Sequence, residues 1–294
     1  MKAVYWLRTG LLFVIMTGIL VVIGGFVGAM LGSWRLGLVV MFVISILFNL
    51  VALFCSKKMA LSANKVTLVT YDQEPRLYSI VQNLANKMDL PMPEVGISSM
   101  PMPNAFATGR GPKNAAVVAT RQLMDLLNDE ELEGVMAHEM SHVKNRDILV
   151  MSIASMMASM IAFVTRMAVY SAMFSNDRDN SSFLIAIVAD ITLPIAAMLI
   201  QLGVSRNREY LADESGGRVT GKPLALASAL RKLETGCSSN YNTYDNPSTA
   251  NMWISDPYGK KKKIKLRNLF STHPASEDRI ARLEKLDREL NGGL

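Results

Sequence analysis

The sequence predicts an α-helical membrane protein that also contains a mixed α+β domain with a small β-sheet. Three observations lead to this fold class. Half of the 294 residues are hydrophobic and the mean hydropathy is +0.22, which is higher than soluble domains usually show. Four apolar runs are long enough to form membrane helices. The polar segments beside them carry both strand-like and helix-like patterns.

The first two apolar runs predict a helical hairpin at the start of the chain. Residues 9–34 and 36–56 contain no charged side chain, and Arg35 separates them. A helix of about 20 residues crosses the ~30 Å hydrocarbon core of a bilayer, so each run is long enough. A signal peptide is the alternative for the first run. However, this run is longer than a typical signal sequence, and no clear cleavage site with polar sequence follows it.

Two weaker apolar runs in the middle of the chain predict a second hairpin. Residues 148–175 contain one charged side chain, Arg166, and residues 182–205 contain one, Asp190. Buried helices of a soluble core are the alternative, but length and composition favour membrane spans. If the connecting turn lies near Arg178, then Arg166 and Asp190 lie at the same depth and form an ion pair within the membrane.

The basic residues predict the orientation of the spans. Lysine and arginine flank the outer ends of both hairpins, as Arg206 and Arg208 do after the fourth run, whereas the two short connecting loops contain only Arg35 and Arg178. Both termini and the polar segments are therefore expected in the cytoplasm. This arrangement also accounts for much of the net charge of +6. A separate basic cluster at residues 260–263 is interpreted as a solvated loop rather than a lipid-binding segment.

The apolar runs divide the chain into four parts. We predict a transmembrane hairpin over residues 1–60, the first part of the polar domain over 61–147, a second transmembrane hairpin over 148–205 and the second part of the polar domain over 206–294. In the first polar part, strands are predicted over residues 66–70, 94–98 and 115–120, and a helix over 76–88.

His138, Glu139 and His142 form an H-E-x-x-H motif on a further predicted helix. This helix begins after Asn128, which can cap it together with Glu131. Residues four apart share a helix face, so both imidazoles can bind one zinc ion. Zinc makes a water nucleophilic at neutral pH, and Glu139 can take up its proton. A buried histidine pair in an apolar core is the alternative, but it would be costly without a ligand.

Two histidines are one ligand short of a catalytic zinc site. The only other histidine is His273. A carboxylate is the alternative: Glu209 and Asp213 are four residues apart and share a helix face, so one could bind the metal while the other orients a histidine. An ordinary charged surface helix has the same spacing, and spacing alone would favour that interpretation.

The chain resembles, nearly from end to end, the HtpX family of membrane-bound zinc metalloproteases, which are distant relatives of the CAAX-prenyl endoproteases. The order and positions of the hairpins agree with that family, and so do four motifs. These are Asn104-Ala-Phe-Ala-Thr-Gly109, the H-E-x-x-H motif that begins at His138, Glu209-Tyr-Leu-Ala-Asp213, and Thr272-His-Pro274 with Arg279.

The resemblance implies a fold and a set of site residues. The polar domain would be a mainly helical, zincin-type (gluzincin-like) catalytic domain whose small sheet has a substrate-binding edge strand. Glu209 would be the third ligand of one Zn2+ ion per chain, and Asp213 would orient a ligand histidine. His273 would hold the substrate or the developing oxyanion, and Arg279 would support the fold. The residues that would pair with extended substrate backbone are Asn104, Ala105, Phe106 and Ala107.

The resemblance also implies a function. The implied protein is a multi-pass endopeptidase of the bacterial inner membrane. It would act in protein quality control by cutting misfolded or damaged membrane proteins at the cytoplasmic face. Its partners would be the membrane and polypeptide substrates, without nucleic acid, and the oligomeric state stays open. A prenyl-protein processing endopeptidase is one alternative. A non-catalytic membrane scaffold stabilised by zinc is another, although such a scaffold has no need of Glu139 as a base.

Overall fold

The computed structural model describes residues 2–30, 32–157, 206–238, 254 and 274–292. The helices, in chain order, are α1 Lys2–Met30, α2 Trp34–Ala63, α3 Pro75–Met88, α4 Arg121–Leu126, α5 Asp129–Lys144, α6 Asp147–Met157, α7 Arg206–Thr220, α8 Pro223–Ser238 and α9 Ser276–Asn291. The strands are β1 Val66–Val69, β2 Glu94–Ser98, β3 Ala105–Gly109 and β4 Ala115–Thr120. The prediction of a mainly helical chain with a small sheet is therefore confirmed.

Helices α1 and α2 form an antiparallel hairpin with close backbone contact. A Cβ atom on Gly37 would lie 2.8 Å from the Gly28 Cα atom, so glycine at both positions lets the helices approach. Farther from the turn, the Asn49 amide donates a hydrogen bond to the Thr17 hydroxyl at 3.0 Å. The hairpin is thus held by small residues at one end and by a polar contact nearer its middle.

Among the described residues, α2 is the one helix that is long and apolar enough to cross a membrane, judged by length and composition. Its most apolar 18-residue window has a mean hydropathy of 2.8, and 11% of that window is buried in the protein. It therefore presents large apolar side chains such as Phe42, Leu47 and Phe54 to its surroundings. Apart from α6, the third and fourth apolar runs, with Arg166 and Asp190, lie outside the described residues.

The sheet has the strand order β1-β2-β4-β3. Strands β2 and β4 are parallel, whereas β1 and β3 pair antiparallel with β2 and β4, respectively. This order makes β3 an edge strand. The turn between β3 and β4 contains Gly109 and Gly111, whose φ values of 135° and 148° favour glycine.

The two faces of the sheet contact different parts of the molecule. On one face, Val117 and Ala119 of β4 belong to the main apolar core, which also includes residues of α3, α5, α8 and α9. On the other face, Phe106 and Val118 pack against Ala60 near the end of α2. Helix α6 in turn packs on both α1 and α2. The sheet and α6 therefore fix the core to the apolar hairpin.

Three elements differ from the sequence-based expectation. Helix α1 begins at Lys2, well before its apolar run. Helix α2 continues to Ala63, and Ala60 near its end packs against Phe106 and Val118 of the sheet. The short α4 was not predicted. It begins at Thr120, whose hydroxyl accepts a hydrogen bond from the Leu123 N–H at 3.2 Å.

Candidate metal centre

Helix α5 begins at a capping box that also connects it to α8. The Asn128 side chain accepts a hydrogen bond from the Glu131 N–H at 2.9 Å, and the Glu131 carboxylate accepts one from the Asn128 N–H at 3.0 Å. The same carboxylate accepts hydrogen bonds from Ser228 Oγ and Lys232 Nζ, both at 2.7 Å. Burial alone would raise the pKa of the Glu131 carboxyl, but the hydrogen bonds from Lys232, Asn128 and Ser228 hold it below its usual value.

Two turns further along α5, the buried imidazoles of His138 and His142 face each other. Their Nε2 atoms are 3.2 Å apart, and their rings are nearly perpendicular, at 88°. The four-residue spacing places both rings on one helix face. Helix α7 approaches this face at Gly216, where a Cβ atom would lie 3.0 Å from the His138 backbone nitrogen. Glycine at this position thus lets α7 bring its side chains to the two rings.

Glu209, in the first turn of α7, completes a buried three-residue cluster. Its carboxylate oxygens lie 3.3 Å from His142 Nε2 and 3.6 Å from His138 Nε2. One donor atom from each of the three side chains lies within 4.8 Å of the others. Residues on both sides of the third and fourth apolar runs therefore meet at one point.

A carboxylate and an arginine support the outer nitrogen of His138. Asp213 lies one turn after Glu209 on α7, and its Oδ1 is 2.9 Å from His138 Nδ1. The Arg279 guanidinium of α9 donates hydrogen bonds to both Asp213 oxygens, at 2.7 and 2.8 Å. Burial alone would raise the pKa of Asp213, but the charge and hydrogen bonds of Arg279 hold it below its usual value. Asp213 is therefore an anionic acceptor in position for a proton on His138 Nδ1.

A second carboxylate and a second arginine support His142. Asp147 lies just beyond α5, and its Oδ2 is 3.3 Å from His142 Nδ1. Between them, Arg146 has a left-handed backbone φ of 62°, which turns the chain and places Asp147 beside the helix that has just ended. Arg208 of α7 forms an ion pair with Asp147. Each histidine thus directs one nitrogen towards an aspartate and the other towards Glu209.

The charges around the cluster suit a divalent cation. Burial alone would lower the pKa of the His138 and His142 imidazoles, but the neighbouring carboxylates raise it, so the local field attracts positive charge. Four carboxylates and two guanidinium groups surround the rings, which leaves two negative charges when the imidazoles are neutral. These six side chains are Glu139, Asp147, Glu209, Asp213, Arg208 and Arg279.

The donor set fits a zinc ion. Uncompensated charge in a buried site is costly, and a divalent cation would offset the two negative charges. Two imidazole nitrogens and one carboxylate, with a fourth position left open, are the protein ligands of many catalytic zinc sites. The cluster of His138, His142 and Glu209 offers these three donors.

Glu139 lies beside the cluster without being one of the three donors. The residue is 2% exposed. Its negative charge contributes to the raised pKa of His142 and to the raised pKa of Arg279. The carboxylate therefore interacts electrostatically with one histidine of the cluster and with the arginine that supports the other histidine. Glu139 is therefore a buried carboxylate within electrostatic reach of the cluster.

The predicted substrate-binding residues Asn104 to Ala107 are buried. Asn104 directly precedes the edge strand β3, and the other three residues begin it. The Ala105 carbonyl accepts a hydrogen bond from the Ile254 N–H at 3.1 Å. The Ile254 carbonyl in turn accepts one from Arg279 Nη1 at 3.0 Å. The outer edge of β3 is thus connected to the arginine that holds Asp213. His273 lies outside the described residues.

Asp147 and Arg208 are members of this arrangement that sequence analysis does not identify. Arg208 was interpreted as a basic residue flanking a membrane run, and Asp147 received no role. Asp147 lies five residues after His142. On a continuous helix, residues five apart do not share a face, so the two side chains meet only because α5 ends between them. The available signal was the polar stretch Lys144-Asn145-Arg146, which is suited to ending a helix.

Comparisons with known proteins agree with the motifs. Residues 71–287 match the model of a family described as Peptidase family M48. The chain is 43% identical to a Protease HtpX homolog of Pyrococcus abyssi over 97% of each chain. It is 44% identical to a Protease HtpX homolog of Thermococcus kodakarensis over 99% of each chain. The crystal structure of S. mikatae Ste24p is similar with a TM-score of 0.45 and 18% identity, and the match covers 95% of this chain and 64% of that chain.

Proposed function

This chain belongs to peptidase family M48 and is a membrane metalloendopeptidase, and we propose that it hydrolyses peptide bonds at the buried cluster of His138, His142 and Glu209. The single observation that supports this site is the approach of three donor atoms, each from a buried side chain, to within 4.8 Å of one another. The cluster uses residues from both polar parts of the chain. We therefore assign the zincin-type catalytic domain to residues 61–147 and 206–294, on either side of a second hairpin at 148–205.

The proposed cofactor is one zinc ion, bound by His138 Nε2, His142 Nε2 and a Glu209 carboxylate oxygen. Bound zinc supplies Lewis acidity, which polarises the scissile carbonyl and acidifies a water molecule. Asp213 and Asp147 hold the two imidazoles in the orientation that presents Nε2, because each accepts the proton on Nδ1. Arg279 and Arg208 hold these aspartates in place.

Glu139 is the proposed general base. Its carboxylate accepts a proton from the attacking water and then donates it to the amine nitrogen of the leaving group. The low exposure of Glu139 and its electrostatic contact with His142 support this role. The site excludes bulk water around these groups, which strengthens each charge–charge interaction.

The proposed substrate path follows the edge strand β3. An extended polypeptide can add to a sheet edge through backbone hydrogen bonds, and residues Asn104 to Ala107 provide that edge. The hydrogen bond from Ile254 to Ala105 marks the place where a backbone N–H fits this strand. In this proposal the substrate backbone either lies beside Ile254 or takes its place on the outer edge of β3. His273 assists in holding the substrate.

The proposed substrates are misfolded or damaged membrane proteins that are cut near the cytoplasmic face. The exposed apolar surface of α2 and the direct passage from α5 into the apolar α6 support a catalytic site close to a bilayer. The distribution of basic residues supports a multi-pass protein of the cell membrane with cytoplasmic termini.

Cleavage of casein by the full chain in detergent, prepared with a chelator and then supplied with zinc, tests the proposed function. We expect the wild type to cut casein after zinc addition. We expect Glu139→Gln to bind zinc as the wild type does but to cut casein at least 100-fold more slowly, since general acid–base catalysis contributes about 10²–10⁴-fold. Glu130→Gln is the matched control, because Glu130 lies on the same helix but is exposed at the protein surface.

Two other outcomes would change the assignment. Cleavage by Glu139→Gln at the wild-type rate would contradict the role of this carboxylate. Zinc binding without cleavage of casein, but with cleavage of a prenylated peptide, would assign the chain to prenyl-protein processing instead.

A further inference from the structure

A cavity of about 730 Å³ lies where the membrane hairpin meets the polar domain, apart from the metal cluster. Its walls come from α2, from the end of α3 and the residues that follow it, from the β3–β4 turn and from the junction of α5 and α6. Leu53 and Leu149 form part of its apolar side. The polar side contains four basic residues, which are Arg110, Lys113, Lys144 and Arg146, and one acidic residue, Asp89.

The apolar side of the cavity continues into the exposed apolar surface of α2. Leu149 packs in the same cluster as Met16 and Ala52 of the hairpin. Phe54, next to Leu53 on α2, is 60% exposed, and the Arg110 guanidinium lies 5.3 Å from the centre of its ring. One turn further along α2 the charged residues begin. A group bound in this cavity would therefore have apolar helix surface on one side and cationic side chains on the other.

The basic residues converge from two separate segments of the chain. Arg110 and Lys113 belong to the turn between β3 and β4, whereas Lys144 and Arg146 lie at the end of α5. A Cβ atom on Gly111 would lie 3.4 Å from Arg146 Nη1, so the two segments are in contact at this point. In the part of the chain that the structure describes, no carboxylate forms an ion pair with Lys113, Lys144 or Arg146. Among the described residues that line the cavity, Asp89 is the one acidic side chain, so these residues together carry an excess of positive charge.

We propose that this cavity binds the phosphate of an anionic phospholipid headgroup, with the acyl chains along Leu53, Phe54 and Leu149. Guanidinium and ammonium groups bind phosphate oxygens through charge-assisted hydrogen bonds. Basic pockets at the level where helices leave the bilayer are suited to such headgroups. The proposed ligand is a lipid. Free inorganic phosphate carries the same phosphate group and is therefore tested separately. Its readout is binding, so it does not depend on whether the proposed peptidase site acts.

Native mass spectrometry of the full chain in detergent tests this inference with dioleoylphosphatidylglycerol, dioleoylphosphatidylcholine and inorganic phosphate as separate probes. We expect phosphatidylglycerol to bind at least 10-fold more tightly than phosphatidylcholine. Lys113→Gln combined with Lys144→Gln should weaken the binding of phosphatidylglycerol about 10-fold or more, because each basic residue near an anionic lipid contributes measurably. Both side chains are exposed, so the pair can be replaced without disturbing the core.

The matched control is Lys260→Gln combined with Lys261→Gln, which removes the same charge from a different basic cluster. This control should bind phosphatidylglycerol like the wild type. Equal weakening by both double variants would show attraction to net charge alone and overturn the proposal. Equal affinity for the two lipids would overturn the proposal as well. Inorganic phosphate that binds as tightly as phosphatidylglycerol would also overturn it, because the site would then bind phosphate rather than a lipid.

Arg146→Lys and Arg146→Gln provide a second measurement. Lysine keeps the charge at the cavity, so Arg146→Lys should retain most of the affinity that Arg146→Gln loses. Equal loss in both variants, with unchanged thermal stability, would contradict a role for positive charge at this position.

Discussion

The two histidines of the metal cluster have similar supports that come from different regions of the molecule. Asp213 lies on α7 and Arg279 on α9, and Arg279 is buried within the polar domain. Asp147 and Arg208 lie beside the apolar segments, and the Arg208 side chain is 21% exposed. One support therefore connects the cluster to the folded core, whereas the other connects it to the start of the apolar helix α6. We expect the first to control both stability and zinc affinity, and the second to control mainly zinc affinity.

Removal of the carboxylate that both histidines face should have the largest effect. Glu209→Ala deletes the carboxylate that lies near both Nε2 atoms. Zinc affinity should fall by more than about 100-fold, beyond the range for residues that only orient ligands, and cleavage of casein should stop. Competition with a fluorescent zinc chelator measures the affinity. Glu214→Ala, an exposed carboxylate on the same helix, is the control. Wild-type affinity in Glu209→Ala would remove Glu209 from the ligand set.

Replacement of the buried aspartate should come next. Asp213→Ala should lower zinc affinity about 100-fold, at the upper end for a ligand-orienting residue. It also leaves Arg279 buried without its partner, which costs about 3–5 kcal/mol of unfolding free energy. The additional change Arg279→Met should recover much of the thermal stability but not the zinc affinity. Recovery of both together would show that Asp213 acts on folding alone.

Replacement of Asp147, the aspartate at the start of α6, should have a smaller effect. Asp147→Ala should lower zinc affinity about 10-fold, because the partly exposed Arg208 leaves its orientation less fixed. Thermal stability should change little, since water can solvate Arg208. Asp125→Ala, an exposed aspartate on α4, is the control in the same chelator competition. An effect of Asp147→Ala as large as that of Asp213→Ala would erase the difference between the two supports.

Loss of an ion pair away from the cluster should have the smallest effect and leave zinc affinity unchanged. Glu131→Gln should lower the unfolding free energy by about 1 kcal/mol at pH 7, because glutamine still fits the capping box but loses the charge towards Lys232. The pKa of Glu131 is lowered in the folded protein. Its contribution is therefore fully present above the unfolded pKa of about 4.3 and is lost as the pH falls through the lower folded pKa. Thermal unfolding of both proteins at pH 7 and below pH 4 checks this sign.

The sequence predicted most of the elements that position the site. The capping box at Asn128 and the four-residue spacing of His138 and His142 are local patterns, so they could be read directly. Glu209 could be placed only through the family resemblance, because its approach to α5 depends on packing at Gly216, more than 70 residues from the motif.

Asp147 could not be predicted because its position depends on a break in the chain. Its contact with His142 requires α5 to end, and this break depends on the left-handed backbone of Arg146. The hydrogen bond between Ile254 and Ala105 joins residues 149 positions apart, and no local pattern contains that information. Local helix chemistry was therefore readable, whereas long-range contacts between buried polar groups were not.

X-ray absorption spectroscopy at the zinc edge identifies the ligands of the proposed zinc site. The sample is full-length Glu139→Gln in detergent with one equivalent of zinc, since this variant keeps all three proposed ligands and should not digest itself. We expect two imidazole nitrogens at about 2.0–2.1 Å and oxygen ligands at a similar distance, without sulfur. Three imidazoles would instead make His273 the third ligand, and a sulfur at about 2.3 Å would point to a cysteine site; either result would contradict the cluster of His138, His142 and Glu209.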